Sequence, residues 1–329
     1  MRRSSVLLAV LLVLPACSAE GGTGTTTAGP SATTTTGATV TTIDLATTMA
    51  SGFPVTVEAD NGSVTIETRP EEIVSLSSTA TEMLFAIGAA DQIVAVDDQS
   101  NYPAEAPITD LSGFTPNIEA ILAYQPDLVV IGYEPGELVD TLSAAGVPVL
   151  FYNAALTVDD TYRQIEALGR ATGHVQEAGA VNESIQTDLE NVVAGAPEVP
   201  EGTTYYHEVD NTYYTATSST FIGTLYSLFG LENIADPADA DGAAFGYPQL
   251  SAEFIVAADP DLIFLADSFY GETPETVAAR PGWEVLTAVQ EGHVIPLDSD
   301  IVSRWGPRIV EFAQAVSDAL SGLGDPASG

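Results

Sequence analysis

The chain repeats one segment, Glu119-Ala-Ile-Leu-Ala-Tyr-Gln-Pro-Asp-Leu128, as Glu253-Phe-Ile-Val-Ala-Ala-Asp-Pro-Asp-Leu262. Six of the ten positions are identical at a constant offset of 134 residues, which indicates two related halves. Each copy reads as a short helix that leads into an apolar strand. Helices that alternate with such strands are typical of parallel sheets covered by helices. The repeat therefore predicts two related, Rossmann-like α/β lobes.

Between the two copies, apolar residues recur at helical spacing in two consecutive segments. The second segment covers about 19 residues and would be roughly 28 Å long at 1.5 Å per residue. A single long helix can therefore join the lobes and leave a cleft that closes through a small angle. The sequence predicts a hairpin leader over 46–68, an N-terminal lobe over 69–156, interlobe helices over 157–195 and a C-terminal lobe over 196–325.

Two local patterns refine this outline. Residues 54–67 form two alternating runs around Asn61-Gly62, and such a pair predicts a β-hairpin that turns at these two residues. Further along, Thr79-Ala-Thr-Glu82 has the spacing of a capping box, which predicts a helix that opens there and ends at Gly88.

The amino terminus reads as an export signal with a lipid attachment site. Two arginines precede an apolar run at 6–14 that is too short to span a bilayer. The lone Cys17 then follows a small residue, an arrangement that resembles the bacterial lipobox. We expect a signal peptide over 1–16, lipidation of Cys17 and a flexible Thr/Gly-rich tether over 17–45. The protein would then lie at the outer face of the cytoplasmic membrane, held only by its lipid anchor. The alternative is an ordinary secretory signal with an incidental cysteine.

The composition excludes several classes of function. The 329-residue chain has 8 basic residues, all arginine, against 46 acidic ones, and its formal net charge is −38 at pH 7. Nucleic acids and anionic lipid surfaces would repel such a chain. One cysteine rules out disulfides and cysteine zinc sites, and the three histidines are too far apart to predict a metal site. Motifs of hydrolases, phosphate-binding loops and zinc proteases are absent from the sequence, so we expect no catalysis.

Four parts of the sequence together resemble a known family. They are residues 73–88, Asn101-Tyr-Pro103, the repeated Pro-Asp-Leu units and Ser303-Arg-Trp-Gly-Pro-Arg308. Over about residues 53–321 the chain is similar to the substrate-binding proteins of ABC importers that capture cobalamin or ferric siderophores. The resemblance implies the helical-backbone periplasmic-binding-protein fold, a monomer with no cofactor, a metal-chelate cargo, and an ABC permease dimer with its ATPase subunits as partner.

Cleft residues are predicted from a general rule, since open parallel sheets bind ligands at the carboxyl ends of their strands. The resemblance adds that Tyr247 aligns with a cobalamin-stacking Trp, and that Asp300 and Arg304 align with residues that contact corrin side chains. Gln99 stands where the family has an aromatic residue, which weakens the case for cobalamin itself. The predicted ligand-binding residues are Gln99, Tyr102, Phe114, Tyr133, His207, Tyr213, Tyr214, Tyr247, Phe269, Asp300, Arg304 and Trp305.

The tyrosines among these residues have a second interpretation, because a ring near a strand end is more often part of the core or the rim than a ligand contact.

Two further tyrosines, Tyr205 and Tyr206, are adjacent in a predicted strand. Alternation predicts that one of the two rings faces inward and the other outward.

The repeated glutamates, Glu119 and Glu253, have a role that the resemblance implies. They stand where the family places one acidic residue on each lobe to meet arginines of the two permease subunits. The alternative is that a glutamate in the first turn of a helix simply complements the helix dipole, worth a few tenths to about 1 kcal/mol. That alternative explains one glutamate, but not why both lobes have it at the same offset.

The small number of cationic residues limits the classes of cargo that the cleft can bind. Of the arginines, Arg304 lies near the predicted cleft, and Arg308 either joins it there or pairs with a carboxylate of the last helix. Strongly anionic catecholate complexes need several converging cations, so the sequence favours a corrinoid or a hydroxamate-type ferric complex. Two alternatives stay open: a free-metal or haem-binding protein of the same fold, and a signalling or adhesion lipoprotein that has lost transport.

Overall fold

The computed structural model describes residues 52–323. The predicted signal peptide, Cys17, the tether and the first residues of the leader lie outside this range, as do the last residues of the predicted C-terminal lobe. Within 52–323, no helix is both long and apolar enough to cross a bilayer.

The leader forms an antiparallel hairpin of β1 (Val55–Ala59) and β2 (Gly62–Ile66). Its turn lies one residue earlier than predicted, at Asp60-Asn61, because Gly62 pairs with Ala59 as the first residue of β2. Gly62 has φ of +101°, which only glycine adopts without strain. Asn61 instead uses its side chain, which donates to the Val149 carbonyl at 2.9 Å and accepts from the Phe151 amide at 3.1 Å. These bonds attach the hairpin to the sheet of the first lobe.

Lobe one contains a parallel sheet with the strand order β4-β3-β5-β6. Every residue of the central strands β3 and β5 is buried, because helices and loops cover both faces of the sheet. The strands are β3 (Ile73–Leu76), β4 (Ile93–Val96), β5 (Leu128–Ile131) and β6 (Val149–Phe151), and the helices are α1 (Ser78–Ala86), α2 (Ile118–Leu122) and α3 (Leu138–Ala144).

Two helices lead from lobe one to lobe two, as the periodicity predicts. The first, α4 (Val158–Thr172), opens with a capping box between Thr157 and Asp160. The second, α5 (Val175–Gly195), has 21 residues and is therefore about 31 Å long. It packs against α4 and against the last helix of the chain, so the chain crosses once between the lobes on a packed helix.

Lobe two repeats the arrangement with the parallel order β10-β9-β7-β8. Its strands are β7 (Thr204–Glu208), β8 (Glu232–Asn233), β9 (Leu262–Leu265) and β10 (Val294–Pro296). Its helices are α6 (Phe221–Ser227), α7 (Ala252–Ala258), α8 (Pro274–Ala278), α9 (Thr287–Gln290), α10 (Ser299–Val302) and α11 (Ile309–Leu323). Short 3-10 turns are found at Ala90–Gln92, Asp236–Asp239, Ser268–Tyr270 and Trp283–Val285.

The repeated segment has the same structure in both lobes, where it forms α2 with β5 and α7 with β9. The aspartate of each Pro-Asp-Leu unit bonds to backbone amides at the start of the neighbouring strand. Asp127 accepts from the Glu71 and Glu72 amides at 2.8 and 3.1 Å, and Asp261 accepts from the Thr204 amide at 2.7 Å. The repeat therefore fixes strand pairing as well as strand identity.

The alternation predicted for β7 is wrong. Tyr205 and Tyr206 are both fully buried, one in each of the two apolar clusters that cover the opposite faces of the sheet. A central parallel strand has no outward face, because helices pack on both sides of it.

Candidate functional site

A cavity of about 520 Å³ lies between the two lobes. Residues that line it follow the carboxyl ends of β3, β4 and β5 in lobe one and of β7, β9 and β10 in lobe two. This is the position that the general rule for open parallel sheets predicts. Of the twelve predicted ligand-binding residues, those that line the cavity are Gln99, Phe114, Tyr133, His207, Tyr247, Asp300, Arg304 and Trp305.

Two predicted residues of the 207–270 region lie elsewhere because their rings pack against the protein or point to solvent. Tyr213 stacks on Trp283 with ring centres 5.8 Å apart, inside the apolar cluster of lobe two. Phe269 and Tyr270 pack edge-on against each other and are 82% and 83% exposed, and of the two only Tyr270 is in the cavity lining. Tyr270 was missed because the sequence gives no signal for which of two adjacent exposed rings borders the cavity.

Tyr102 and Tyr214 also fall outside the cavity lining. The guanidinium of Arg308 lies over the Tyr102 ring, 4.2 Å from its centre, and the ring is 44% exposed. Tyr214 forms an isolated bridge with Gln249 and is 42% exposed. Tyr102 and Tyr214, like Tyr213 and Phe269, are therefore not part of the cavity lining.

Aromatic rings with large exposed areas stand on both walls of the cavity. On the lobe-one side Phe114 and Tyr133 are 65% and 50% exposed, with ring centres 6.0 Å apart. On the lobe-two side Tyr247 is 43% exposed. Rings exposed on facing walls offer apolar area that a bound ligand can cover.

His207 lies beneath the floor of the cavity and has no exposed surface. Its Nδ1 lies 2.9 Å from the Tyr226 hydroxyl, and its Nε2 has no hydrogen-bond partner among residues 52–323. Burial lowers the pKa of His207 to about 3, so the ring is neutral at physiological pH. His207 is therefore a neutral residue beneath the cavity floor and provides no cation for a ligand.

Arg304 lines the cavity but is already paired. Its guanidinium donates to Glu82 Oε1 at 2.8 Å, Asn101 Oδ1 at 2.9 Å, the Gln99 carbonyl at 3.0 Å and Asp300 Oδ1 at 2.8 Å. With four such bonds, Arg304 shapes the cavity wall and holds the two lobes together.

Glu82 is a residue that the sequence analysis missed. It is almost fully buried in α1 of lobe one and also accepts two bonds from Arg308, at 2.9 and 2.6 Å. Arg308 thus pairs across the lobe junction and not with a carboxylate of the last helix. We call Glu82, Asn101, Asp300, Arg304 and Arg308 the interlobe charge cluster.

The predicted capping box at Thr79–Glu82 is wrong, because the Glu82 side chain pairs with Arg304 and Arg308 instead of with the start of the helix. The N-cap is Ser77, whose hydroxyl accepts from the Ala80 amide, so the carboxylate of Glu82 is free to enter the interlobe charge cluster. An acid within the apolar run of α1 was the one available signal of a buried partner.

Glu119 and Glu253 occupy equivalent positions, in the first turns of α2 and α7. Both residues are exposed, and neither carboxylate has a hydrogen-bond or ion-pair partner within the described range. Each helix runs back against the strand that follows it, so its first turn lies at the carboxyl-end edge of its sheet, the edge that the cavity adjoins. The two acids are therefore available to a partner on that side.

Residues 52–323 contain no group of three or more histidine, cysteine or acidic side chains placed to hold a metal ion. His174 lies at the start of α5, within 3.0 Å of Arg69 Nη2 and of Gln92 Oε1, far from His207 in the sequence.

Comparisons of this chain with a family model, with related sequences and with solved structures all find similarity to extracytoplasmic binding proteins. The model of the family described as "Periplasmic binding protein" matches residues 73–301. The chain is 32% identical over 282 residues to a cobalamin-binding protein of Halobacterium salinarum, covering 82% of this chain and 75% of the relative. It is 31% identical over 279 residues to the uncharacterized ABC transporter substrate-binding lipoprotein YvrC of Bacillus subtilis, covering 82% and 86%. The periplasmic vitamin B12 binding protein BtuF of Vibrio cholerae superposes with a TM-score of 0.62 at 27% identity, covering 78% and 98%.

Proposed function

Because the chain belongs to the periplasmic binding protein family, we propose that it captures a metal-chelate nutrient in the interlobe cavity and delivers it to an ABC permease. The cargo we favour is a corrinoid or a hydroxamate-type ferric complex. The observation that carries this proposal is the cavity at the carboxyl ends of both sheets, with exposed aromatic rings on both walls. Such rings suit a flat or compact organic surface.

The size of the aromatic contribution is sufficient for tight binding. If a cargo covers about 100 Å² on each of Phe114, Tyr133 and Tyr247, each ring contributes about 2–3 kcal/mol at 25 cal/mol per Å². After the cost of association, three such contacts and a few hydrogen bonds support micromolar to nanomolar affinity.

The charges around the cavity favour a cargo with little negative charge. Among residues 52–323, Arg304 is the only arginine in the lining, and its guanidinium is occupied by the interlobe charge cluster. A triply anionic catecholate complex would meet no free cation there. Corrinoids and hydroxamate complexes avoid this cost.

Spectroscopy tests the cargo directly. We expect a Cys17→Ser protein purified from its host to carry a visible absorption band when loaded. Titration with cyanocobalamin, a ferric hydroxamate and a ferric catecholate should quench the fluorescence of Trp305, which lines the cavity. Trp305→Phe is the matched control, because it leaves only Trp283, which is fully buried in lobe two. Tight binding of the catecholate would contradict the proposal, and so would a failure to bind any of the chelates.

Delivery to the permease involves Glu119 and Glu253 in this proposal. Exposed acids at equivalent helix starts on the two lobes can each meet an arginine of one permease subunit, and such charge pairs set orientation. The proposal also includes the lipid anchor at Cys17, which would keep the protein beside its permease at the outer face of the membrane.

Uptake measurements separate docking from cargo binding. We expect Glu119→Ala with Glu253→Ala to abolish uptake in a whole-cell assay while cargo affinity stays within twofold. The control is the pair Glu275→Ala with Glu311→Ala, which removes first-turn acids from α8 and α11. If the four glutamates only complement helix dipoles, both double variants will transport equally, and the docking assignment fails.

A further inference from the structure

Asp97 brings a carboxylate to the cavity directly after β4. Its amide donates to the Ser75 carbonyl of β3 at 2.9 Å, and its backbone forms an isolated bridge with Leu111. The backbone of Asp97 is therefore held on both sides. The residue lines the cavity and is 5% exposed, although it is not among the predicted ligand-binding residues. Its carboxylate is a fixed part of the cavity wall.

The protein holds one oxygen of this carboxylate and leaves the other free. The Ser100 hydroxyl donates to Asp97 Oδ1 at 2.5 Å. Ser100 Oγ lies 2.9 Å from Thr81 Oγ1, which in turn lies 2.9 Å from Ser75 Oγ, and all three residues are buried. Asp97 Oδ2 accepts no hydrogen bond from any residue of 52–323. The chain of buried hydroxyls therefore fixes the carboxylate in an orientation that leaves Oδ2 available.

A glycine keeps the space beside Oδ2 open. A Cβ on Gly113 would lie 2.8 Å from Asp97 Oδ2 and 2.8 Å from the Leu76 carbonyl oxygen. Gly113 also lines the cavity, next to Phe114 in the chain. Any larger residue at position 113 would cover the carboxylate oxygen or displace it. Oδ2 is therefore accessible on the lobe-one wall, near one of its exposed rings.

The charge of Asp97 is not compensated by an ion pair. Among residues 52–323, the other charged side chains of the lining are Asp300 and Arg304, and both belong to the interlobe charge cluster. Arg304 forms its bonds within that cluster and none to Asp97. The cavity wall therefore presents one negative charge that no neighbouring side chain pairs with.

The surroundings of this carboxylate strengthen any hydrogen bond that it accepts. Burial raises the pKa of Asp97, because the charged form loses contact with water. Hydrogen bonds to a charged oxygen are about twice as strong as neutral ones, and a low local dielectric strengthens them further. An ionised carboxylate only accepts, so its partner must be a donor, and an anionic group would be repelled.

From this geometry we infer that Asp97 selects the cargo by accepting, at Oδ2, a hydrogen bond from an N–H group of the bound molecule. The donor is an ammonium group, as on the pendant chain of some ferric hydroxamates, or a primary amide, as on the side chains of a corrinoid. This inference rests on the proposed function, because it concerns the same cavity, and it adds the chemical group that the cavity recognises.

One substitution removes the charge and nearly preserves the shape. Asp97→Asn keeps the size of the side chain and an oxygen that can accept from Ser100. Asp98→Asn is the matched control, because it removes the same charge from the next residue, which is exposed and lies outside the cavity lining. The two variants have the same net charge, so any difference between them comes from the position of the carboxylate.

The experiment measures affinity by titrating the Cys17→Ser protein with matched ligands and following Trp305 fluorescence. The pairs are ferrioxamine B with its N-acetyl form, and cyanocobalamin with derivatives in which one side-chain amide is a carboxylate. We expect the protein to prefer the N–H donor member of one pair by about 10- to 100-fold, which identifies the source of the donor. Asp97→Asn should reduce that preference to within about 3-fold, whereas Asp98→Asn should retain it.

The contrary outcomes separate this inference from the proposed function. If the protein binds both members of each pair equally, or if Asp97→Asn retains the preference, Asp97 does not select the cargo and the proposed cargo class stands. If Asp98→Asn loses the preference as well, the general acidity of the chain is responsible and the inference is wrong. If no chelate binds, the proposed function itself fails.

A salt titration decides the matter should Asp97→Asn not fold. A bond to a carboxylate that is 5% exposed should maintain the preference of the Cys17→Ser protein within about twofold from 0.1 to 1 M KCl. A preference that disappears over this range would come from exposed acids and would overturn the assignment to Asp97.

Discussion

Two buried clusters of charge occupy different regions of the molecule and differ in their ratio of acids to arginines. In the interlobe charge cluster, the Glu82 carboxylate meets two arginines, Arg304 and Arg308. In lobe two, Arg280 meets two carboxylates, Glu208 at 2.5 Å and Glu272 at 2.7 Å. The buried Asp267 carboxylate lies close by with no hydrogen-bond partner for either oxygen within the described residues. We call Glu208, Asp267, Glu272 and Arg280 the lobe-two charge cluster.

The difference decides how each cluster can respond to a lost partner. A buried carboxylate can take up a proton, and burial already raises the pKa values of Glu208 and Asp267, the latter to about 7. Arginine has no such route at accessible pH. The interlobe charge cluster has two arginines for its two acids, Glu82 and Asp300, so each of its charges has a partner of opposite sign. The lobe-two charge cluster has three acids for one arginine, and protonation can relieve that surplus of acid.

The largest effect should come from Glu82→Leu, which leaves two buried guanidinium groups with one carboxylate, Asp300, between them. Removal of one partner from a buried ion pair costs about 3–5 kcal/mol. We expect a loss of this size in the free energy of unfolding by urea, together with a wider distribution of interlobe distances in solution scattering. Glu183→Leu, on the exposed surface of α5, is the control and should cost little. A loss under about 1 kcal/mol would show that Glu82 does not hold the junction.

Next in size is Arg280→Met, which leaves the acids of the lobe-two charge cluster without their cation. Arg280 also packs on Trp283, 4.6 Å from the ring centre, and methionine keeps part of that contact. We expect a loss of about 2–4 kcal/mol at pH 7, which shrinks at pH 5 because the freed carboxylates can protonate. Arg163→Met serves as the control, since Arg163 is 73% exposed. A loss that is equal at both pH values would break the contrast between the clusters.

Asp267→Asn isolates the pH response of a single group. Burial, with the nearby Glu208 and Glu272 charges, raises the pKa of Asp267 from 3.8 to about 7. Between these two values the unfolded chain releases the proton while the folded protein keeps it. Stability therefore falls as pH rises from about 4 to about 7 and is then level. We expect the variant to gain stability relative to wild type between pH 5 and pH 8 in urea unfolding. A constant difference would mean that Asp267 titrates normally.

The smallest effect concerns salt. The net charge of −38 is mostly on exposed acids, whose mutual repulsion is screened by ions. We expect the free energy of unfolding to rise by about 1 kcal/mol or more between 0.1 and 2 M KCl. The costs of Glu82→Leu and Arg280→Met should change little over that range, because both clusters are buried. A cost that halves in high salt would place the cluster in contact with solvent.

Much of the fold could be predicted because its signals are local. The repeat, the apolar strands and the helical spacing of α4 and α5 each occupy a continuous stretch. The hairpin turn was misplaced by one residue because Asn61 bonds to β6, which lies 88 residues away in the chain. Such a contact overrides the preference of an isolated Asn-Gly pair.

The site was predicted less completely because its contacts join residues that are far apart in the sequence. The rule for strand ends selects loops that line the cavity, but it does not specify which residues of a loop border it: Tyr270 does and Phe269 does not, although both are exposed to the same degree. Glu82 and Arg304 are 222 residues apart, and no local pattern connects them.

The attachment of the hairpin to β6 also protects the molecule from its own copies. An uncovered sheet edge offers unpaired amides and carbonyls to any other chain, and can lead to aggregation. The turn at Asp60-Asn61 occupies that edge of lobe one, where the Asp60 amide donates to the Phe151 carbonyl at 2.8 Å. In lobe two, the edge strands are short: β8 has two residues, and β10 has three and ends in proline. The hairpin therefore covers one edge of the lobe-one sheet, and both edges of the lobe-two sheet are too short for extended pairing with a strand of another copy.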